Sequence, residues 1–201
     1  MGAWLAALMV GVAVAGCAPA LVAVKDPAQR VELNGVSVLP PAGQAWHVGP
    51  RSTRHVVFLR KPPESPHTIG AVALVDQIVI GGLVRAPIRN AQDLKELTER
   101  RFQSSGRFTM IESSIRIDTG MGAECVRSDT VQEERDNPRS PGVVLVMVIH
   151  TLDCLHPQTP GHVVSVGYSE RYPKGQQPLP AETLRAEGEP FIRSATFGPV
   201  R

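Results

Sequence analysis

Apolar and polar residues alternate along most of the chain from residue 30 onward, which is the pattern of half-buried β-strands. Arg30-Val31-Glu32-Leu33 and Val36-Ser37-Val38-Leu39 flank Asn34-Gly35, the strongest short-range signal for a hairpin. Pro40-Pro41 ends it. Trp46-His47-Val48 and His55 to Arg60 read as further strands, and a proline-rich turn follows from Pro62 to Pro66. Ile69 to Val84 is apolar and β-branched with a break at Gly81-Gly82, consistent with a buried strand and a bend. The pattern then changes period. Asn90 to Ser104 reads as a helix, with Asn90 as N-cap, Asp93 in the first turn, and Leu94, Leu97, Arg101 and Phe102 spaced along one face. Gly106 stops it. Strands are expected at Phe108 to Ile117, Ala123 to Glu133, Val143 to Leu152 and His162 to Tyr172, with a polar loop from Glu134 to Pro141. A second helix is predicted from Pro180 to Ser194, burying Leu184, Phe191 and Ile192, with Pro190 expected to interrupt or kink it. The economical architecture is α+β: a single antiparallel sheet with a few helices packed on it.

The first residues follow a different rule. Trp4 to Val14 is continuously apolar or small and carries no charge, yet meets Cys17, Pro19 and Lys25 too soon to span a bilayer, which takes about 20 residues. It reads as the hydrophobic part of a secretory signal. Its positively charged lead segment is missing, which is consistent with a true start upstream of Met1. Val14-Ala15-Gly16-Cys17 resembles the lipobox of bacterial lipoproteins: an aliphatic residue, two small ones, then Cys. The resemblance implies cleavage after residue 16 and attachment of diacylglycerol to the Cys17 thiol. It also implies acylation of the new amino terminus, with palmitate as the expected chain. Several chains on one residue anchor firmly, because each buried CH₂ contributes about 0.8 kcal/mol. Ala18, rather than Asp, follows the Cys and resembles the outer-membrane sorting class. The expected organisation is a signal peptide over 1–16, lipidated Cys17 with a tether over 17–29, and one α+β domain over 30–201.

Once Cys17 is taken by lipid, Cys125 and Cys154 remain, an even pair in an exported chain where disulfides persist. They are expected to be bridged, closing a loop of about thirty residues worth roughly 3 to 4 kcal/mol in the chain-entropy model. The competing reading makes His150, Asp153, Cys154 and His156 metal ligands. Strand alternation puts His150 and Cys154 on one face and Asp153 on the other, Pro157 turns the chain after His156, and no second pair has zinc spacing. No metal and no cofactor are therefore expected.

Composition narrows the function. With 21 Lys and Arg against 19 Asp and Glu, the formal charge of the 201-residue chain is only +2, too little for the electrostatic footprint of a nucleic-acid binder. Asp118-Thr119-Gly120 is the tripeptide of aspartic proteases, but a single copy would need a homodimer, and the sequence is also good turn chemistry. Ser169 stands in Gly167-Tyr168-Ser169-Glu170-Arg171, inside a strand pattern rather than on a nucleophile elbow. Gly81-Gly82 and Gly120-Met121-Gly122 lack the spacing of phosphate loops. His47 and His55 could meet across a hairpin, with no third ligand in view. Arg51-Ser52-Thr53-Arg54-His55 with Arg60-Lys61 forms a basic patch suited to anionic headgroups or an acidic protein face, and Glu133-Glu134-Arg135-Asp136 reads as a solvated mixed loop.

The order of features also resembles the PsbP-like α-β-α sandwich, a fold that includes small bacterial lipoproteins. The resemblance rests on the hairpin with Gly35, Trp46 after a proline pair, Leu94-Lys95-Glu96-Leu97, the tract Val163 to Arg171, and the closing Phe191 to Phe197. It implies no shared catalytic residues and a role as an accessory or binding protein. The expectation is thus a non-enzymatic, lipid-anchored, periplasm-facing lipoprotein whose partners are the membrane and an envelope protein complex, with no nucleic acid. The alternative is a carrier of a small molecule or lipid in a cavity between sheet and helices.

Overall fold

The structure is a computed structural model that describes residues 21–60, 68–77, 88–101, 106–138 and 140–201. The signal peptide, Cys17, Lys61 with the proline-rich turn, Gly81-Gly82 and the expected end of the first helix at 102–104 lie outside the described residues. The elements in chain order are β1 (Val22–Ala23), β2 (Val31–Glu32), β3 (Val36–Val38), β4 (Trp46–Arg51), β5 (His55–Arg60), β6 (Thr68–Gln77) and α1 (Ala91–Arg101). They continue with β7 (Phe108–Asp118), β8 (Cys125–Glu134), β9 (Leu145–Leu155), β10 (His162–Pro173), α2 (Ala181–Arg193) and β11 (Thr196–Phe197).

Among the described residues, eight strands form one sheet in the order β1-β4-β5-β6-β10-β9-β8-β7, every pairing antiparallel. The class is α+β, as the alternation predicts, but the sheet is not single. The opening hairpin leaves the large sheet and builds a second one, β11-β3-β2. Its turn needs Gly35, whose φ of +106° strains any side chain, and a Cβ there would stand 2.7 Å from Val200. Arg30 fastens the small sheet, donating from Nε to Ser37 Oγ at 2.9 Å and from Nη2 to the Ser37 carbonyl at 2.8 Å and to Thr196 Oγ1 at 2.9 Å. Part of the expected tether is ordered too. Val22 and Ala23 pair with Val48 and His47, and the Val24 amide donates to the Trp46 carbonyl at 2.9 Å.

The helices cover different faces. α2 lies over the face that carries Val56, Phe58, Ala71, Ala73, Val166 and Tyr168, where Leu184, Phe191 and Ile192 are buried. Gly188 lets the helix touch the sheet, since a Cβ there would fall 2.3 Å from the Tyr168 ring. Pro190 does not interrupt α2, which runs on to Arg193. The Ser194 amide donates to the Pro190 carbonyl at 2.9 Å and its hydroxyl to the Phe191 carbonyl at 2.7 Å, so a capped and buried last turn outweighs the missing donor. α1 packs on the opposite face at the β7 end, with Leu94 against Val126 and Val163. Its first turn is capped as predicted: the Asp93 amide donates to Asn90 Oδ1 at 2.9 Å.

Candidate functional site

Alternation along β5, β6, β9 and β10 sends one set of side chains toward α2 and leaves the other set on a face that, among the described residues, α1 reaches only at its far end. That face is largely apolar at its centre, with Thr68, Thr151, Ser169 and Arg171 around it. Val57, Leu59, Val72, Met147 and Ile149 line a groove of about 220 Å³ whose floor includes Gly70 and Gly167. Val72 keeps 37% of its surface exposed. One face of an antiparallel sheet normally carries polar residues when it meets water, so an apolar groove there is the kind of surface that marks a binding site.

Arg171 closes one end of the groove. Its Nη2 lies 3.6 Å from Met147 Sδ, and its Nε stands 3.1 Å from Glu134 Oε2, too oblique for a hydrogen bond. Glu134 is fully buried, with Arg107 donating to its other oxygen. On the α2 face, Glu133 takes Lys174 at 2.6 Å and Arg135 at 3.1 Å, and Lys174 above all holds its carboxyl below the usual range. This corrects the sequence reading of Glu133-Glu134-Arg135-Asp136 as a solvated loop: both glutamates belong to β8 and are buried among four cations.

A second polar cluster sits under α2. His150 bonds Asp129 Oδ1 through Nδ1 at 2.7 Å and stacks on Tyr168, whose hydroxyl donates to Glu189 at 3.0 Å. Arg127, only 3% exposed, bonds Asp129 at 3.1 Å and also Glu189. Burial pushes the Tyr168 phenol up, with Glu189 adding to it. Burial also opposes ionisation of Asp129, but bonds from His150, Arg116 and Arg127 overcome it and hold the carboxyl well below its ordinary 3.8. A carboxylate depressed in the folded state stabilises the fold fully above its ordinary value, and that stability is lost as pH falls toward the folded value. Acid unfolding should therefore steepen below about pH 4, by at most about 1.4 kcal/mol per pH unit for this one group. Asp129→Asn should flatten that part of a urea-midpoint titration; an unchanged slope would show that Asp129 does not carry it.

The other residues singled out by the sequence are dispersed. Cys125 and Cys154 stand directly opposite each other on β8 and β9, with Cα atoms 3.9 Å apart, and form a disulfide. The alternative metal set is not assembled: His150 holds Asp129, His156 Nε2 bonds the Gly35 carbonyl at 2.9 Å, Asp153 accepts from Ser165, and Cys154 is in the disulfide. Asp118 accepts from the Gly120 amide at 2.8 Å, and Arg193 on α2 pairs with it at 3.0 Å and lowers its carboxyl. Ser169 is a ladder residue between Ile149 and Gly70. His47 and His55 do not meet across their hairpin, since His47 faces Leu59 while His55 bonds Ser52 at 2.8 Å. Arg60 leaves the basic patch to pair with Glu187. A wider cleft of about 830 Å³ beside the small sheet is lined in part by Asn34, whose amide exchanges bonds with the Arg201 backbone at 2.6 and 2.7 Å.

No protein-family model matches the chain, and no curated sequence matches it. Among solved structures the fold is similar to LpqN, described as involved in cell envelope biogenesis of Mycobacterium tuberculosis. That likeness covers 90% of both chains at 14% identity with a TM-score of 0.46.

Proposed function

We propose that this chain is a lipid-anchored binding protein of the bacterial envelope, held by Cys17, facing the periplasm from the outer membrane and acting without catalysis of its own. The observation that carries the reading is the short distance between anchor and fold. β1 begins at Val22, five residues after Cys17, so even a fully extended connection reaches only about 17 Å. A domain held that close works at the bilayer surface, where an accessory protein meets an envelope assembly. The PsbP-like sandwich remains the expected relationship of the fold.

The open groove favours a second reading, a carrier that takes an apolar small molecule or acyl chain on the sheet. Both readings are tested on protein extracted from membranes of a bacterial expression host. The expected intact mass is that of Cys17 to Arg201 plus acyl chains, with two further thiols alkylated only after reduction. An unlipidated soluble product would remove the anchor. Native mass spectrometry of the same material should show a co-purifying ligand if the chain is a carrier, and Val72→Glu, which puts a charge in the groove, should lose it.

A further inference from the structure

We propose that two copies of this chain pair through β7, antiparallel about Ser114, to continue the large sheet from one copy into the other. The two ends of the sheet are unequal. At one end β1 is two residues long, whereas at the other β7 runs eleven residues, Phe108–Asp118, with one side of its backbone unpaired among the described residues. Natural edge strands are kept short or are guarded by lysine, proline or bulges, because an open ladder recruits another strand. β7 has no Lys and no Pro, and its one irregularity, between Met110 and Glu112, lies toward one end of the paired stretch and leaves Glu112 to Asp118 regular. It also displays Ile111 and Ile117, at 57% and 46% exposure.

The occupant follows from charge. When an antiparallel pair of identical strands is centred on Ser114, Glu112 of each copy falls opposite Arg116 of the other, giving two opposite-charge pairs related by the twofold axis. Both residues lie on the α2 face, since they stand opposite Val131 and Arg127 in β8. Ser113 falls opposite Ile115, and the exposed Ile111 and Ile117 come to the same flank of the junction. Opposite charges directly across an antiparallel pair stabilise it, and like charges there destabilise it. An unrelated extended peptide could add to the same edge, but the strand is complementary to itself in this register. A junction of one strand pair buries less than the roughly 1,200 Å² of a stable interface, so the dimer should dissociate in the micromolar range.

The test uses the full chain in non-ionic detergent, with sedimentation read over concentration and the Cys125–Cys154 disulfide as the check on folding. The parent should dimerise reversibly. Glu112→Arg sets Arg opposite Arg twice and should weaken the dimer roughly tenfold, and adding Arg116→Glu should restore it. Ser114→Cys meets itself across the axis, where Cα atoms about 4.5 to 5.5 Å apart permit a disulfide, so oxidation should give a covalent dimer linked at residue 114. A parent that stays monomeric at high micromolar concentration would overturn the proposal. So would a dimer indifferent to Glu112→Arg, or an oxidised Ser114→Cys protein that gives no covalent dimer.

Discussion

Replacing Cys125 and Cys154 together by alanine should lower the unfolding free energy by roughly 3 to 4 kcal/mol. The bond joins residues 29 apart in sequence, so in the unfolded chain it closes a loop whose lost freedom is the main stabilising term. Sulfur packing adds little, because the neighbouring ladder keeps its register without the bond. β8 and β9 pair residue for residue from Cys125 opposite Cys154 to Glu134 opposite Leu145. The native fold should therefore persist, with β-sheet content unchanged, while the urea midpoint drops. Both sulfurs lie in the core, Cys125 fully buried and Cys154 only 3% exposed, so a reductant should act on the native protein at the rate of its opening. A loss under about 1 kcal/mol in the alanine double variant would show that the unfolded chain is already compact across this loop.

How far the sequence could be read depends on the range of the interaction. Elements whose cause is local were legible: the Asn34-Gly35 turn, the Asn90 cap, and the long strands from Phe108 to Tyr172, which the structure extends by one to three residues at several ends. The bridge between Cys125 and Cys154 was legible too, because an even pair remains in an exported chain and each Cys sits in a strand pattern, where neighbouring antiparallel strands can bring the sulfurs together. Partners distant in sequence were not legible. β3 alternates like any strand, and only its pairing with β11, some 160 residues later, places the hairpin in a sheet of its own. Glu133-Glu134 looks like surface because the cations that surround it, Arg107, Arg171 and Lys174, come from three other parts of the chain. The groove did leave a trace. Val56-Val57-Phe58-Leu59 and Leu145 to Ile149 are apolar at consecutive positions, the signature of strands covered on both faces, and the described helices cover only one of those faces along β5 and β6.

Phe191→Ala should cost about 3 to 5 kcal/mol, the largest effect of any single substitution considered. The side chain is 1% exposed in the last turn of α2 and meets the fully buried Phe58 edge to face, with ring centroids 5.7 Å apart and planes at 77°. Truncation removes the ring's burial and leaves a void that the close approach of α2 at Gly188 prevents the helix from filling. A double-mutant cycle with Phe58→Ala should return a coupling of about 0.5 to 1.5 kcal/mol, the part owed to ring geometry rather than to area. The same truncation logic discriminates between the two faces of the sheet. Val72→Ser removes an apolar side chain from the open face, and if that face is a binding surface the loss of stability should stay within about 0.5 kcal/mol. A cost for Val72→Ser approaching that of a core truncation would mean that the groove is filled in the folded protein, and would end the carrier reading while leaving the anchor untouched.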